Sequence, residues 1–143
     1  MSFNLRVYGL LINANSQVLL SDENKANLVF TKFPGGGLEF GEGIIDCLKR
    51  EFMEEVGITV QPKKLFYLTE HFQVSAFDEQ DQVISIYYLV ESDQIDAIPT
   101  STSPFDFKGK EEVHRWMTIN KMKPEDFLFP IDKIVAKKLK ELG

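Results

Sequence analysis

The chain has 143 residues and a formal net charge of −6, with the apolar and charged fractions of an ordinary globular protein. That length fits one compact domain able to build its own core, and it removes any need for a disulfide or structural metal merely to fold. The acidic balance argues against duplex nucleic acid as a partner, since such proteins carry a basic face. Acidity does not exclude a polyphosphate substrate, but carboxylates repel phosphate until a cation sits between them.

A single cysteine, Cys47, rules out an intrachain disulfide and is compatible with a reducing cytosol. No apolar run approaches the roughly 20 residues of a membrane span. The start, Met1 to Arg6, lacks the basic-then-apolar layout of a secretory leader. A cytoplasmic protein with no membrane contact is expected.

In chain order, residues 4–12 and 16–20 read as strands joined by the polar turn Asn13-Ala14-Asn15. A third short strand is expected over 28–33. The cluster Pro34-Gly35-Gly36-Gly37 reads as a breaker, with a second loop at Gly41-Glu42-Gly43. A helix follows over about 44–56, and Gly57 stands where a left-handed C-cap belongs. Strands are expected over about 64–74 and 82–91, separated by the charged turn Asp78-Glu79-Gln80-Asp81. Residues 93–110 form a long polar connection with Pro99 and Pro104, and loops of this length are often functional. A last strand lies near 112–118. A closing helix over 130–142 carries Ile131, Ile134, Val135, Leu139 and Leu142 at helical spacing. The pattern predicts an α+β fold: a mixed sheet with helices packed on its faces, in a single domain over 1–143.

The first helix carries the chemistry. Ile45, Leu48, Phe52 and Val56 share one flank and form a core stripe. Glu51, Glu54 and Glu55 fall together on a neighbouring flank, at spacings of three and four residues. Like charges on one turn repel, and these lie toward the helix C-terminus, where the dipole disfavours anions. A local rule broken in this way tends to mark a functional site. A bound Mg²⁺ or Mn²⁺ would relieve the repulsion, because hard cations take oxygen ligands. Arg50, four residues before Glu54, can hold that carboxylate without occupying the metal face. Taken alone, such a run is more often a solvated charged face.

The rest of the pattern changes that reading. From Gly36 the chain runs five residues to Glu42, seven more to Arg50-Glu51-Phe52, one to Glu54-Glu55, and one to Gly57-Ile58. This resembles the Nudix box at each of its defining positions. The resemblance implies an α/β/α sandwich that binds a divalent ion, usually Mg²⁺ with Mn²⁺ as the alternative. It implies hydrolysis of the diphosphate in a nucleoside diphosphate linked to another moiety, a small-molecule substrate. By the same resemblance, Glu51, Glu54 and Glu55 are metal ligands or water-activating groups. Arg50 orients them, Glu42 supports the site from the loop, and a carbonyl of Gly35 or Gly36 completes the coordination. Family members often add one carboxylate from outside the box. Glu111 and Glu112 are the candidates here, with Glu112 favoured because a strand turns only one of two neighbours to a given face. A homodimer is common in the family, and nothing in this chain requires one.

The tail, with Trp116-Met117-Thr118-Ile119 and Ile134-Val135-Ala136-Lys137, looks like that of the MutT-type branch. Two departures weigh against an oxidised-guanine specificity. Where many members carry an arginine after the second strand, this chain reads Leu19-Leu20-Ser21-Asp22-Glu23. Where that branch has an asparagine near the last helix, it has Ile131 and Asp132. His71 and His114 have the chemistry of a base or a ligand, but each stands alone, and both read first as surface or hydrogen-bonded histidines. Tyr67, Phe72, Phe77, Tyr87 and Tyr88 read mostly as core or sheet-face residues, of which one or two can stack on a ring. Cys47 reads as a buried structural thiol. The alternative to an enzyme is a catalytically silent Nudix-like module that senses a nucleotide or nucleotide sugar. Nucleoside triphosphates, ADP-ribose, nucleotide sugars and dinucleoside polyphosphates all stay open as substrates.

Overall fold

The computed structural model describes residues 1–142. Its elements in chain order are β1 (Ser2–Leu11), β2 (Gln17–Lys25), β3 (Leu28–Lys32), β4 (Gly35–Gly37), α1 (Ile44–Glu55), β5 (Gln61–Leu68), β6 (Asp81–Glu91), β7 (Glu112–Thr118) and α2 (Pro130–Leu142). Gly143, the end of the expected domain, lies outside the described residues. None of the described helices is long and apolar enough to cross a membrane.

The strands form two sheets rather than one. The first is mixed, in the order β4-β1-β6-β5, with β1 parallel to β6 and the other pairs antiparallel. The second is antiparallel, in the order β3-β2-β7. Both faces of β1 and β6 are apolar, as strands covered on two sides must be. Val7, Leu11, Ile86 and Val90 face α1 and pack with Leu48, Phe52 and Val56. Tyr8, Leu10 and Tyr87 face α2 and pack with Ile131, Val135 and Leu139. The sandwich of helix, sheets and helix follows from that two-sided pattern.

Expected and observed boundaries differ in three places. The glycines at 35–37 do not break the chain. They form β4, pairing Gly35 with Tyr8, Gly36 with Val7 and Gly37 with Arg6. A side chain at Gly35 would collide with the Val7 carbonyl, so this edge strand depends on having none. The second strand extends to Lys25, five residues past its expected end, because its polar residues 21–25 pair with β3 and residues 21–23 also pair with β7. The strand expected over 64–74 runs from Gln61 to Leu68. There the Thr69 hydroxyl takes over the pairing, donating to the Ser85 carbonyl and accepting from the Ser85 amide.

The bounds of α1 agree with the expectation to within one residue. The Gly43 amide donates to Asp46 Oδ2 at 3.2 Å, which holds the start of the helix. Gly57, with φ of +80°, ends it by donating to the Phe52 carbonyl at 2.9 Å. Gly9 in β1 lies under the Phe52 ring, in space that a methyl group would occupy, so α1 sits close against the sheet.

The lower face of the second sheet holds a buried polar knot. Asp22, fully buried, accepts from Thr31 Oγ1 at 2.7 Å, from Arg115 Nε at 2.8 Å and from the Phe105 amide at 3.0 Å. Three strands and the 93–110 connection are tied at this one carboxylate. The acidic stretch Ser21-Asp22-Glu23 is therefore divided by strand alternation: Asp22 faces this knot, while Ser21 and Glu23 face the opposite side.

Candidate active site

The box residues gather in two groups, Glu42, Glu51 and Glu54 around Arg50, and Glu55 against the second sheet. Arg50 is the hub of one half. It binds both oxygens of Glu42, through Nε at 3.0 Å and a terminal nitrogen at 2.7 Å, a two-pronged pairing that fixes the carboxylate plane. Its other terminal nitrogen reaches Glu51 at 3.0 Å and Glu54 at 3.2 Å, while the one that meets Glu42 also donates to the Gly37 carbonyl. The expected pairing of Arg50 with Glu54 is present, but the stronger tie is to Glu42. The arginine holds the Glu42 carboxyl at about 2, well below its usual range, helped by the Glu39 amide.

Glu51 is buried and lies over Gly36. A methyl group there would meet its carboxylate at 2.6 Å, so the bare backbone of β4 makes room for the acid. Glu54 is exposed beyond Arg50. Glu55 points the other way, toward Lys32, whose Nζ is 3.8 Å from it. The Gly35 amide approaches Glu55 at 3.4 Å, and the Gly35 carbonyl accepts from Lys32 at 3.1 Å. Burial raises the Glu55 carboxyl to about 7 against the pull of Lys32, with nearby Glu51 adding to the rise.

The second sheet supplies residues that the box does not announce. Glu23 of β2 and Glu112 of β7 stand directly opposite each other across the strands. Like charges in that position destabilise a sheet, so the pair needs a compensating charge. Lys32 of β3 provides one, 2.9 Å from Glu23. Burial works against the charge on Lys32, but Glu55 and Glu23 outweigh it and hold the ammonium above its usual value. Burial and the hydrogen bond to Glu23 raise Glu112, while Lys32 overcomes the burial of Glu23 and lowers it. Of the two outside candidates, Glu112 is in this group and Glu111 is an exposed residue before the strand.

His114 departs from its reading as a surface or hydrogen-bonded residue. It is buried, and its Nε2 has no hydrogen-bond partner among the described residues. The alternation that turns Glu112 toward α1 turns His114 the same way, two residues on. Ligand atoms of Glu55, Glu112 and His114 lie within 4.8 Å of one another. Burial and the Lys32 charge lower the His114 imidazole to about 4, so it is neutral at neutral pH. Glu23 and Lys32 are not singled out by the sequence, and His114 stands alone in it, because strand partners cannot be read before the register is known.

Two cavities flank this group. The first, about 210 Å³, is bordered by Phe30, Phe77 and Phe129, with Lys32, Tyr87 and Asp132 among its polar groups. Asp132 is buried and accepts from the Tyr87 hydroxyl at 2.6 Å. Burial raises its carboxyl to about 6, opposed by that hydrogen bond. Tyr67 and Tyr87 are core residues as expected, whereas Phe72 and Phe77 stand largely exposed. The second cavity is bordered by Glu55, Glu112 and His114 on one side and by Lys108 and Lys110 of the long connection on the other. Cys47 is the expected buried thiol, raised to about 12 chiefly by burial.

Comparison with known proteins gives the family and the fold. The family model described as "NUDIX domain" matches residues 3–138. The chain is 30% identical over 139 residues to an 8-oxo-dGTP diphosphatase of Escherichia coli (strain K12), covering 94% of each chain. Among solved structures it resembles a NUDIX hydrolase from Nitrosomonas europaea, with TM-score 0.70, 19% identity and coverage of 98% of this chain and 89% of the other. It also resembles a MutT protein from Methanosarcina mazei Go1, with TM-score 0.68, 19% identity and coverage of 98% and 94%. At those identities the structures speak to the fold alone.

Proposed function

The chain belongs to the Nudix family, whose hydrolases cleave pyrophosphate bonds, and from that premise we propose a divalent-metal-dependent pyrophosphohydrolase acting on a nucleoside diphosphate linked to another moiety. The observation that carries the metal requirement is the meeting of Glu55 from α1 with Glu23 and Glu112 from the second sheet beside the Lys32 ammonium, with Glu51, held by Arg50, next to Glu55. Burial first, and neighbouring carboxylates after it, raise Glu55 and Glu112 above the usual carboxylate range. Hard oxygen donors with excess negative charge fit Mg²⁺ or Mn²⁺.

In this reading Glu51, Glu54 and Glu55 hold the ion, and Glu112 adds a donor from β7. A cation there supplies charge to phosphoryl oxygens and makes a water easier to deprotonate. The chain's own groups do the rest. Arg50 and Glu42 hold the acids in register, so little reorganisation is needed during reaction. A glutamate of this group accepts the proton of the attacking water as it adds to phosphorus. Gly35 and Gly36 let the backbone come close to the ion and the phosphates. The aromatic-bordered cavity takes the organic part of the substrate, and Lys108 and Lys110 stand where phosphates would extend.

The test is a hydrolysis screen in Mg²⁺ and Mn²⁺ over nucleoside triphosphates, ADP-ribose, nucleotide sugars and dinucleoside polyphosphates. Because the curated relative is a diphosphatase of an oxidised purine triphosphate, nucleoside triphosphates are the first class to try. Ile131, with Asp132 beside it, where the MutT branch has an asparagine argues that the preferred base differs from oxidised guanine. Cleavage of one class with release of a nucleotide is the expected result. Binding without turnover across the panel would favour a sensing module instead.

Asp132 also predicts a pH dependence of stability. Its folded value of about 6 lies above the ordinary 3.8, so between those values the native state keeps a proton that the unfolded chain gives up. Its contribution is complete below about pH 4 and is lost as pH rises through about 6. Asp132→Asn is therefore expected to gain on the order of 2–3 kcal/mol relative to the parent between pH 4 and pH 8. Urea unfolding at both pH values measures it, and a constant difference between the two proteins would refute the assignment.

A further inference from the structure

We propose that His114 is a direct nitrogen ligand of a divalent cation shared with Glu55 and Glu112, giving this protein a mixed imidazole and carboxylate site. The proposal rests on the reading of this acidic group as a cation site and goes beyond it by adding a donor that the box does not contain. Three observations carry it. The ligand atoms of Glu55, Glu112 and His114 lie within 4.8 Å of one another, a span that one ion bridges at ordinary bond lengths of about 2.0–2.4 Å. The His114 side chain is 8% exposed, yet its Nε2 is buried with no hydrogen-bond partner among the described residues. A buried polar atom left in that state costs free energy unless something binds it.

The neighbouring groups do not meet that need. The nearest acceptor, Glu112 Oε1, is 3.8 Å away, too far for a hydrogen bond. Ser21, the cross-strand neighbour of His114, has a buried hydroxyl that is itself unpartnered. Lys32 is engaged by Glu23 at 2.9 Å and by the Phe33 and Gly35 carbonyls. The second cavity opens onto all three ligands, so an ion has a path from solvent.

An imidazole changes which metal the site prefers. Carboxylates and water suit Mg²⁺, whereas imidazole nitrogen favours the first-row transition metals. The site is therefore expected to bind Mn²⁺ and Zn²⁺ more tightly than Mg²⁺, and His114→Gln to erode that preference.

Pulsed electron paramagnetic resonance of the Mn²⁺-loaded protein gives a direct test. The chain has only two histidines, so modulation from an imidazole nitrogen has only His71 and His114 as sources. The expected result is a histidine nitrogen signal that changes on labelling with ¹⁵N-histidine, persists in His71→Gln and disappears in His114→Gln. The latter should also weaken Mn²⁺ binding by about tenfold or more, since even outer partners of metal ligands are worth that much. If His114→Gln does not fold, the signal persisting in labelled His71→Gln suffices, because His114 is then the one histidine left. Bound Mn²⁺ with no histidine modulation overturns the proposal and leaves the carboxylate site standing. Failure to bind Mn²⁺ at all overturns both.

Discussion

Glu55→Gln is expected to lower turnover by about 10²–10⁴-fold while the protein stays folded. The magnitude is that of losing a positioned proton acceptor or a charge that holds the transition state. Glutamine keeps the shape of the side chain and can still accept the contact from the Gly35 amide. Lys32 keeps its closer partner, Glu23, so the change does not strand a buried ammonium. Stability separates a catalytic effect from a folding defect. Because burial raises Glu55 to about 7, above its ordinary 4.5, its contribution is present at low pH and lost as pH rises through neutrality. At pH 8 and without metal, the variant is therefore expected to be at least as stable as the parent. Steady-state kinetics and denaturant unfolding on one preparation make the comparison. Parent-like turnover would remove Glu55 from the site, and a large loss of stability at pH 8 would place its role in folding.

Asp22→Ala has the largest expected effect on stability. The substitution removes the carboxylate that Arg115, Thr31 and the Phe105 amide all meet. Arg115 is then left buried with its charge uncompensated, a situation that costs about 3–5 kcal/mol. For a chain of this size that corresponds to a fall in melting temperature of roughly 10–20 °C. The tie to Phe105 also helps anchor the segment carrying Lys108 and Lys110 to the sheet, beside the bonds from the Ser101 amide to the His114 carbonyl and from the Asn24 amide to the Glu111 carbonyl. KM for a polyphosphate substrate is accordingly expected to rise in whatever fraction of the variant remains folded. Calorimetric scans measure the first effect. A melting temperature within about 3 °C of the parent would mean that the buried knot is not holding the second sheet together.

The helix and its acids were legible in the sequence because their information is local. Helical spacing puts Glu51, Glu54 and Glu55 on neighbouring flanks whatever the rest of the chain does, and Gly43 and Gly57 mark the ends. The second sheet's share of the site was not legible. Glu23 lies in β2, Lys32 in β3, and Glu112 and His114 in β7; what joins them is register. A shift of one residue in any of these strands would turn its side chains to the other face, and hydrophobic alternation is weak in the polar stretch 21–25. That stretch looked like a missing phosphate-binding arginine. It is two acids with separate tasks, Asp22 in the structural knot and Glu23 beside Lys32. The glycine cluster misled in a different way. Glycine is a turn signal in general, but at 35–37 its lack of a side chain admits the Val7 carbonyl and the Glu51 carboxylate.

Hydrolysis of the best substrate from the screen, followed continuously with Mg²⁺, then with excess EDTA, then with Mg²⁺ restored, tests the proposed reaction most directly. Turnover that stops with the chelator and returns with the ion, and that is nearly absent in Glu55→Gln throughout, is the predicted result. Undiminished hydrolysis in excess EDTA would contradict a divalent-metal site built from the acids of α1.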